Sequence, residues 1–262
     1  MKRTLIDKHS LDIPFPFLKY TQTSRIYDSS SSPEAKVYFI DGEEKLYLKR
    51  AAHGALDAES KMTEYFHSLG IGAEVLEYFS TDENDWLLTR AVSGEDCTHP
   101  DYLAEPKRLA ILLGESLRKL HSTDYSGCPI KDRMKTYEKT VEANRNKGLY
   151  DLSYLTDSLK HMNADSAYLY FKENKQRLKS DTLIHGDFCL PNVMLNRWNL
   201  SGFIDVGCGG VGDRHVDLYW GVWTLKFNLG TDKYREYFLS AYGKDMIDNS
   251  LINTVAAAEV FG

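Results

Sequence analysis

The segment His185-Gly-Asp-Phe-Cys-Leu-Pro-Asn192 and the aspartate of Leu200-Ser-Gly-Phe-Ile-Asp-Val-Gly207 carry the chemistry of this chain. Asp187 supplies a carboxylate that can orient a hydroxyl and take up its proton. Asn192 supplies a neutral amide oxygen, and Asp205, between a short apolar run and Gly207, a second carboxylate. Oxygen donors of these two kinds suit the hard cation Mg2+ together with phosphate oxygens. A base followed by ligands for a charge-neutralising cation is what phosphoryl transfer from a nucleotide requires. Each residue also has a plainer reading. Asp187 can cap the turn behind it, Asn192 and Asp205 can make turn contacts, and His185 reads as a ring that hydrogen-bonds the loop.

Upstream, Lys49 ends the run Lys45-Leu-Tyr-Leu-Lys49, whose Leu46 and Leu48 can face a core and leave a long cation free to reach phosphate. Glu59, on the next predicted helix, can fix that cation. The alternatives are a solvated lysine and an incidental surface pair, which would be worth little. Before them, Ser29-Ser-Ser-Ser-Pro33 is either a polar spacer or a tight loop whose hydroxyls and amides meet phosphate oxygens.

The elements that must position these groups fall into two patterns. Residues 37–40 and 45–49 read as strands joined by the Asp-Gly turn of Asp41-Gly-Glu-Glu44. A helix is expected over residues 55–69, stopped by Gly70, and further strands over 75–79 and 85–89. Arg90-Ala-Val-Ser-Gly94 is a candidate hinge, so a nucleotide-binding lobe is expected at 1–90 and a catalytic, acceptor-binding lobe at 91–262. The second part turns helical. Leu109, Leu112, Leu113, Leu117 and Leu120 stripe a helix over 104–121, with Pro106 in its first turn. Further helices are expected at 132–146, 151–161, 165–178, 232–242 and 250–261. Short strands at 182–185, 193–195 and 200–204 carry the catalytic-looking loops, and the aromatic run Asp217-Leu-Tyr-Trp-Gly-Val-Trp223 packs a helix. The fold class is α+β.

A chain of 262 residues has room for one large domain or two modest lobes. A formal charge of -6 offers no general attraction to nucleic acid or anionic lipid. The first ten residues lack a continuous apolar stretch, and no later one is long enough to span a bilayer. A cytoplasmic protein with no nucleic-acid or membrane partner is expected. Cys97, Cys128, Cys189 and Cys208 have no CxxC spacing and read as reduced thiols.

The ordered set Ser32-Pro-Glu-Ala-Lys-Val-Tyr38, Leu46-Tyr-Leu-Lys49, His185 to Asn192, Ser201 to Gly207 and Asp213-Arg-His-Val-Asp217 resembles the aminoglycoside phosphotransferase family, particularly its 3'-phosphotransferase branch. The resemblance covers almost the whole chain. It implies a bilobal, protein-kinase-like fold and a Mg2+-dependent kinase. Such an enzyme moves the γ-phosphoryl group of ATP or GTP to a small-molecule hydroxyl, the 3' hydroxyl of an aminoglycoside. The alternative is a kinase of another amino alcohol, sugar or antibiotic. A kinase-like binding protein without turnover is disfavoured, because nucleotide binding alone needs no base.

Carried over by position, Asp187 is the base, Asn192 and Asp205 the metal ligands, and Lys49 with Glu59 the phosphate-contacting pair. Ser31 and Ser32 are the nucleotide-loop residues, with Glu34 inserted relative to the family's pattern. Thr89 to Ala91 approach the nucleotide base through the hinge backbone. Asp217 matches a position that steadies the catalytic loop, while Asp213 is divided between loop structure and pocket charge. The tail departs from the family. Where members often end near Asp-Glu-Leu-Phe, this chain has Ala258-Glu-Val-Phe-Gly262, and Cys208 stands where an arginine is common. Glu259 is either an amine-binding carboxylate or a solvated acid at a helix end. Phe261 is expected to pack.

Overall fold

The computed structural model describes residues 3–7 and 11–262. The rest of the first ten residues, read above as lacking a continuous apolar stretch, therefore lies outside the described residues. The chain divides into two compact units, Met1–Asp96 with Pro191–Gly207, and Cys97–Leu190 with Cys208–Gly262. The division falls at Asp96 instead of residue 90, and residues 191–207 group with the first unit.

The first unit is built on β1 (Arg3–Ile6), α1 (Leu18–Thr21), β2 (Arg25–Ser29), β3 (Ala35–Asp41), β4 (Lys45–Ala52), α2 (Asp57–Ser68), β5 (Val75–Ser80), β6 (Asn84–Arg90) and β7 (Glu95–Asp96). Six strands form one antiparallel sheet in the order β1-β2-β3-β4-β6-β5. The β3–β4 hairpin turns at Gly42–Glu44 with Asp41 opposite Lys45, where the Asp-Gly signal placed it. Along β4 alternate residues face alternate sides. Leu46 and Leu48 are 2% and 0% exposed and enter a core with Phe17, Ile26, Ile40, Trp86 and Leu88. Burying each such side chain contributes about 1.5–3 kcal/mol, enough to hold the register that turns Tyr47 and Lys49 to the other face.

Numbering along the chain leaves β8 to the second unit. β9 (Val193–Asn196) and β10 (Asn199–Phe203) complete the first, in a small sheet ordered β10-β9-β7. Their hairpin closes on Arg197 and Trp198, both left-handed at φ 50° and 67°, the backbone a two-residue turn needs to follow strand twist. Its open end pairs Phe203 with Val193, and the Ile204 amide donates to the Asn192 carbonyl at 3.0 Å. Asn192 and Asp205 thus leave the same end of one hairpin.

The second unit is helical: α3 (Pro100–Leu103), α4 (Pro106–His121), α5 (Arg133–Asn146), α6 (Ala164–Asn174), α7 (Arg214–Leu229), α8 (Arg235–Tyr242) and α9 (Asn249–Glu259), with a two-stranded ladder of β8 (Thr182–Ile184) and β11 (Gly210–Gly212). The leucine stripe of α4 is buried at Leu109, Leu113, Leu117 and Leu120, while Leu112 is half-buried. The helix expected over 151–161 is not formed. Two short 3-10 turns, Leu152–Tyr154 and Asp157–Leu159, stand there instead. Asp151 caps the first turn by accepting from the Ser153 amide at 2.8 Å, and Leu155 and Thr156 are extended. Side-chain capping of this kind competes with helix propagation, while Leu155 and Leu159 seat the turns on the core around Phe171 and Phe261. The fold is α+β, and among the described residues no helix is long and apolar enough to cross a membrane.

Candidate active site

In the first unit β4 delivers Lys49 to two carboxylates. Its Nζ lies 2.7 Å from Glu59 Oε2, in the first turn of α2, and 2.9 Å from Asp205 Oδ1. Burial draws the Lys49 ammonium down, but the charges and hydrogen bonds of Glu59 and Asp205 outweigh it and carry its pKa well above the usual lysine value. Burial likewise pushes the Glu59 carboxyl up against the pull of Lys49. The side chains of Lys49 and Glu59 are 20% and 12% exposed, that of Asp205 52%. Asp205 holds a left-handed backbone at φ 58°, uncommon for any residue but glycine and one of the strained conformations that cluster at functional sites. Gly207 closes the arrangement. A Cβ there would sit 3.3 Å from Glu59 Cβ and 3.4 Å from Oε2, so a larger residue would press on the carboxylate that fixes Lys49.

Lys49, Glu59 and Asp205 line one wall of a cavity of about 200 Å³ within this unit. Val37, Tyr47, Leu87, Met194 and Ile204 make it an apolar slot, with Thr89 and Asn192 also on its lining. Tyr47 was not singled out in the sequence, although alternation along β4 puts it on the face of Lys49. Ser29 and Ser30 line the slot, whereas the expected Ser31 and Ser32 turn their hydroxyls to the loop's own amides. Ser31 Oγ accepts from the Val37 amide at 3.0 Å, and Ser32 Oγ from those of Glu34 and Ala35 at 3.2 and 3.1 Å. Ser29 Oγ is buried without a hydrogen-bond partner. An orphaned buried hydroxyl costs about 1–3 kcal/mol, which a ligand oxygen in the slot would recover. The Ala91 amide is occupied by the Lys45 carbonyl at 2.9 Å.

Among the described residues no three His, Cys, Asp or Glu side chains converge on a common point. The Asn192 amide and the Asp205 carboxylate, brought to one hairpin end, are nevertheless a hard-oxygen pair that fits Mg2+. This ion usually takes one or two carboxylates and fills the rest of its shell with phosphate oxygens and water.

Asp187 belongs to the second unit, in the loop after β8. Gly186 makes that loop possible. Its φ is 84°, and a Cβ there would meet the Cys208 carbonyl oxygen at 1.9 Å. The loop backbone is tied to Asp217, wholly buried near the start of α7. Asp217 accepts from the His185 and Gly186 amides, both at 2.7 Å, and contacts His121 Nε2 at 3.0 Å. His121 Nδ1 in turn lies 2.9 Å from the Tyr242 hydroxyl. His185 Nδ1 takes the Asp187 amide at 3.2 Å. Asp213 caps α7 and also receives the Lys179 amide at 2.7 Å. Cys189, its thiol pushed up by burial and by the charge of Asp187, hydrogen-bonds that carboxylate.

Glu259 is 6% exposed at the end of α9, so it is not a solvated acid. Its Oε1 accepts from the Tyr137 hydroxyl at 2.8 Å. Burial pushes its carboxyl up to about 7, helped by the charge of Asp187 and opposed by hydrogen bonds from Tyr137 and Trp220. A buried carboxylate displaced this far, in the field of a second one, is characteristic of functional sites. Phe261 packs edge-on against Tyr168 at 6.0 Å and its carbonyl accepts from Asn144 at 2.9 Å.

The comparisons with known proteins place the chain among phosphotransferases of protein-kinase-like fold. The family model described as the phosphotransferase enzyme family matches residues 28–250. A probable aminoglycoside 3'-phosphotransferase of Lactococcus lactis subsp. lactis (strain IL1403) is 45% identical over 239 residues, covering 91% of each chain. An aminoglycoside 3'-phosphotransferase of Niallia circulans is 30% identical over 168 residues, 64% of each. The crystal structure of an aminoglycoside-3'-phosphotransferase of type VIII superposes with a TM-score of 0.74 at 25% identity, over 90% of this chain and 91% of that one. The chain belongs to the aminoglycoside phosphotransferase family.

Proposed function

We propose that this protein transfers the γ-phosphoryl group of ATP or GTP to a hydroxyl of an aminoglycoside, the 3' hydroxyl, in the cytoplasm where the nucleotide is made. The observation that carries the reading is the ammonium of Lys49 clamped between Glu59 and Asp205 on the wall of an apolar slot. The slot suits a nucleotide base, with Tyr47 offering a ring to stack on it, and the clamp suits phosphate. The names of the relatives point to an aminoglycoside as acceptor.

In this mechanism Lys49, fixed by Glu59, holds the donor phosphates, and the Ser29 hydroxyl finds a partner among their oxygens. Asn192 and Asp205 would hold Mg2+, which when bound draws the phosphates together and neutralises their charge. Asp187 orients the acceptor hydroxyl and takes its proton as the oxygen attacks phosphorus. The new O–P bond forms while the bond from the γ-phosphorus to the bridging oxygen breaks, and the nucleoside diphosphate leaves. Glu259 offers a carboxylate to an acceptor amine.

The test is phosphate transfer to kanamycin, neomycin and non-antibiotic amino alcohols, with ATP and GTP supplied separately and product mass and position determined. Phosphate on the 3' oxygen of kanamycin is expected. Transfer to another alcohol alone would keep the kinase chemistry and reject the antibiotic. Asp187→Asn is expected to lower kcat by about 10²–10⁴ while leaving nucleotide affinity nearly unchanged.

A further inference from the structure

Helix α2, which carries Glu59, has no cap of its own. Its N-cap residue, Leu56, offers no side-chain acceptor, although the first amides of a helix need partners from outside it. The partner comes from β6. Asp85, wholly buried, accepts from the Leu56 amide at 3.0 Å through Oδ2 and from the Ser80 hydroxyl at 2.6 Å through Oδ1. The Gly54 amide and the Tyr78 hydroxyl donate to the same carboxylate. Burial pushes the Asp85 carboxyl up, but these donors outweigh it and hold the group below the usual aspartate value. A negative charge at a helix N-terminus is also favoured by the helix dipole.

This carboxylate closes a ring of contacts around Lys49. Lys49 on β4 pairs with Leu87 on β6, and Ala51 with Asp85, so these residues share one face of the sheet. Leu56 packs on that face against Ala51 and Leu87. The apolar contact holds α2 to the sheet but has no direction, whereas the Asp85 hydrogen bonds fix where along the sheet the helix begins. Glu59 follows Leu56 by less than one helical turn, and from there reaches Lys49 Nζ at 2.7 Å. Strand pairing fixes Lys49 relative to Asp85, and Asp85 fixes Glu59 relative to both.

We infer that Asp85 is a positioning residue for the phosphate clamp, capping α2 from the sheet so that Glu59 meets Lys49 in the orientation a nucleotide phosphate needs. Asp85 is not on the lining of the slot and acts through Glu59. The inference rests on the reading of Lys49 and Glu59 as phosphate-contacting groups given above.

The experiment measures the Kd of ATP and of GTP, each with Mg2+, by calorimetry on the full chain for Asp85→Asn, Glu59→Gln and the double variant. Asp85→Asn keeps the shape and loses the charge. It is expected to weaken nucleotide binding by about tenfold, the scale of one charge-assisted hydrogen bond, while the acceptor KM at saturating nucleotide stays within about twofold of the parent value. The double variant is expected to bind within about twofold of Glu59→Gln alone, because Asp85 acts through the group already removed. Losses that multiply overturn the inference, since a general loosening of the fold would weaken binding whatever stands at position 59. Parent-like affinity in Asp85→Asn beside a weakened Glu59→Gln overturns it as well. Ser80→Ala, which leaves the buried carboxylate in place, repeats the comparison at about threefold should Asp85→Asn fail to fold. Parent-like affinity in Glu59→Gln, by contrast, removes the clamp reading and the inference with it.

Discussion

Lys49 Nζ is 2.7 Å from Glu59 Oε2 while Asp205 Oδ1 holds it from the other side at 2.9 Å. One ammonium thus serves two carboxylates that differ in access: Glu59 is mostly shielded and Asp205 half open. In the proposed mechanism the shielded partner fixes the lysine, and the open one would exchange it for a metal ion. A phosphate arriving beside Lys49 therefore finds a cation already oriented, so little ordering cost attends its binding.

Glu59→Gln separates this role from simple packing. The amide keeps the shape and loses the charge, so Lys49 turns to Asp205 alone. A charge-assisted hydrogen bond is worth about 1.5–3 kcal/mol, and kcat/KM for the nucleotide should fall by about ten- to a hundredfold. The KM of the acceptor, measured at saturating nucleotide, should stay within about twofold by the same argument. Steady-state kinetics with each substrate varied in turn would check it. A loss confined to the acceptor would remove Glu59 from the phosphate side.

Asp205→Asn tests the open partner. An amide oxygen still binds a hard cation, but without charge. The Mg2+ concentration for half-maximal rate is expected to rise by about tenfold or more, the scale of one lost charged contact, with activity partly restored at high Mg2+. A magnesium titration at fixed nucleotide reads this directly, and an unaltered midpoint would exclude Asp205 as a ligand.

Asp217 acts one step further back. It is wholly buried and satisfies the amides of His185 and Gly186 together with His121. In Asp217→Asn one oxygen remains, and the new NH2 faces a donor it cannot accept. The cost is about 2–4 kcal/mol, and thermal melting should show an apparent Tm lower by about 5–15 °C. Below that transition, kcat should fall with little change in nucleotide KM, because the lost bonds hold the Asp187 loop and not the slot. Melting and kinetics identical to the parent protein would sink the assignment.

How much of this could be read from residues alone depended on the range of the interaction. Lys49 and Glu59 were legible because strand alternation and the first turn of α2 are local patterns. Asp187, Asn192 and Asp205 stood out in the sequence as an ordered set, and the β9–β10 hairpin explains how Asn192 and Asp205 come to one end. Ser29 and Ser30 were not, because the left-handed φ of Ser30, 65°, decides which serines of the run face the slot. The two-residue β7 escaped notice because its only signature is pairing with Met194 and Leu195, about a hundred residues away. The 151–161 segment reads as a helix by composition, yet the Asp151 cap and the anchoring of Leu155 and Leu159 break it into turns. Burial of Glu259 was equally hidden. Its carboxylate is covered by Tyr137 and Trp220, from α5 and α7, and nothing near it in the chain announces them.

That burial makes Glu259 a source of pH dependence in the neutral range. Its folded pKa of about 7 lies above the ordinary carboxylate value of 4.5. The folded state therefore holds a proton that the unfolded chain has released, and stability declines as pH rises from about 4.5 to about 7. The full effect is up to about 3 kcal/mol. Glu259→Gln cannot ionise, so its Tm should change less between pH 5 and pH 8 than that of the parent protein, whatever the constant offset from the altered Trp220 contact. The acceptor side runs the opposite way. An ammonium is drawn to the ionised carboxylate, so the KM for kanamycin should fall as pH rises from 6 to 8, and Glu259→Gln should flatten that trend. A flattened melting profile with an unflattened KM profile would keep Glu259 as a buried titrating group and remove it from the amine site. The pair of pH series thus assigns its two roles independently.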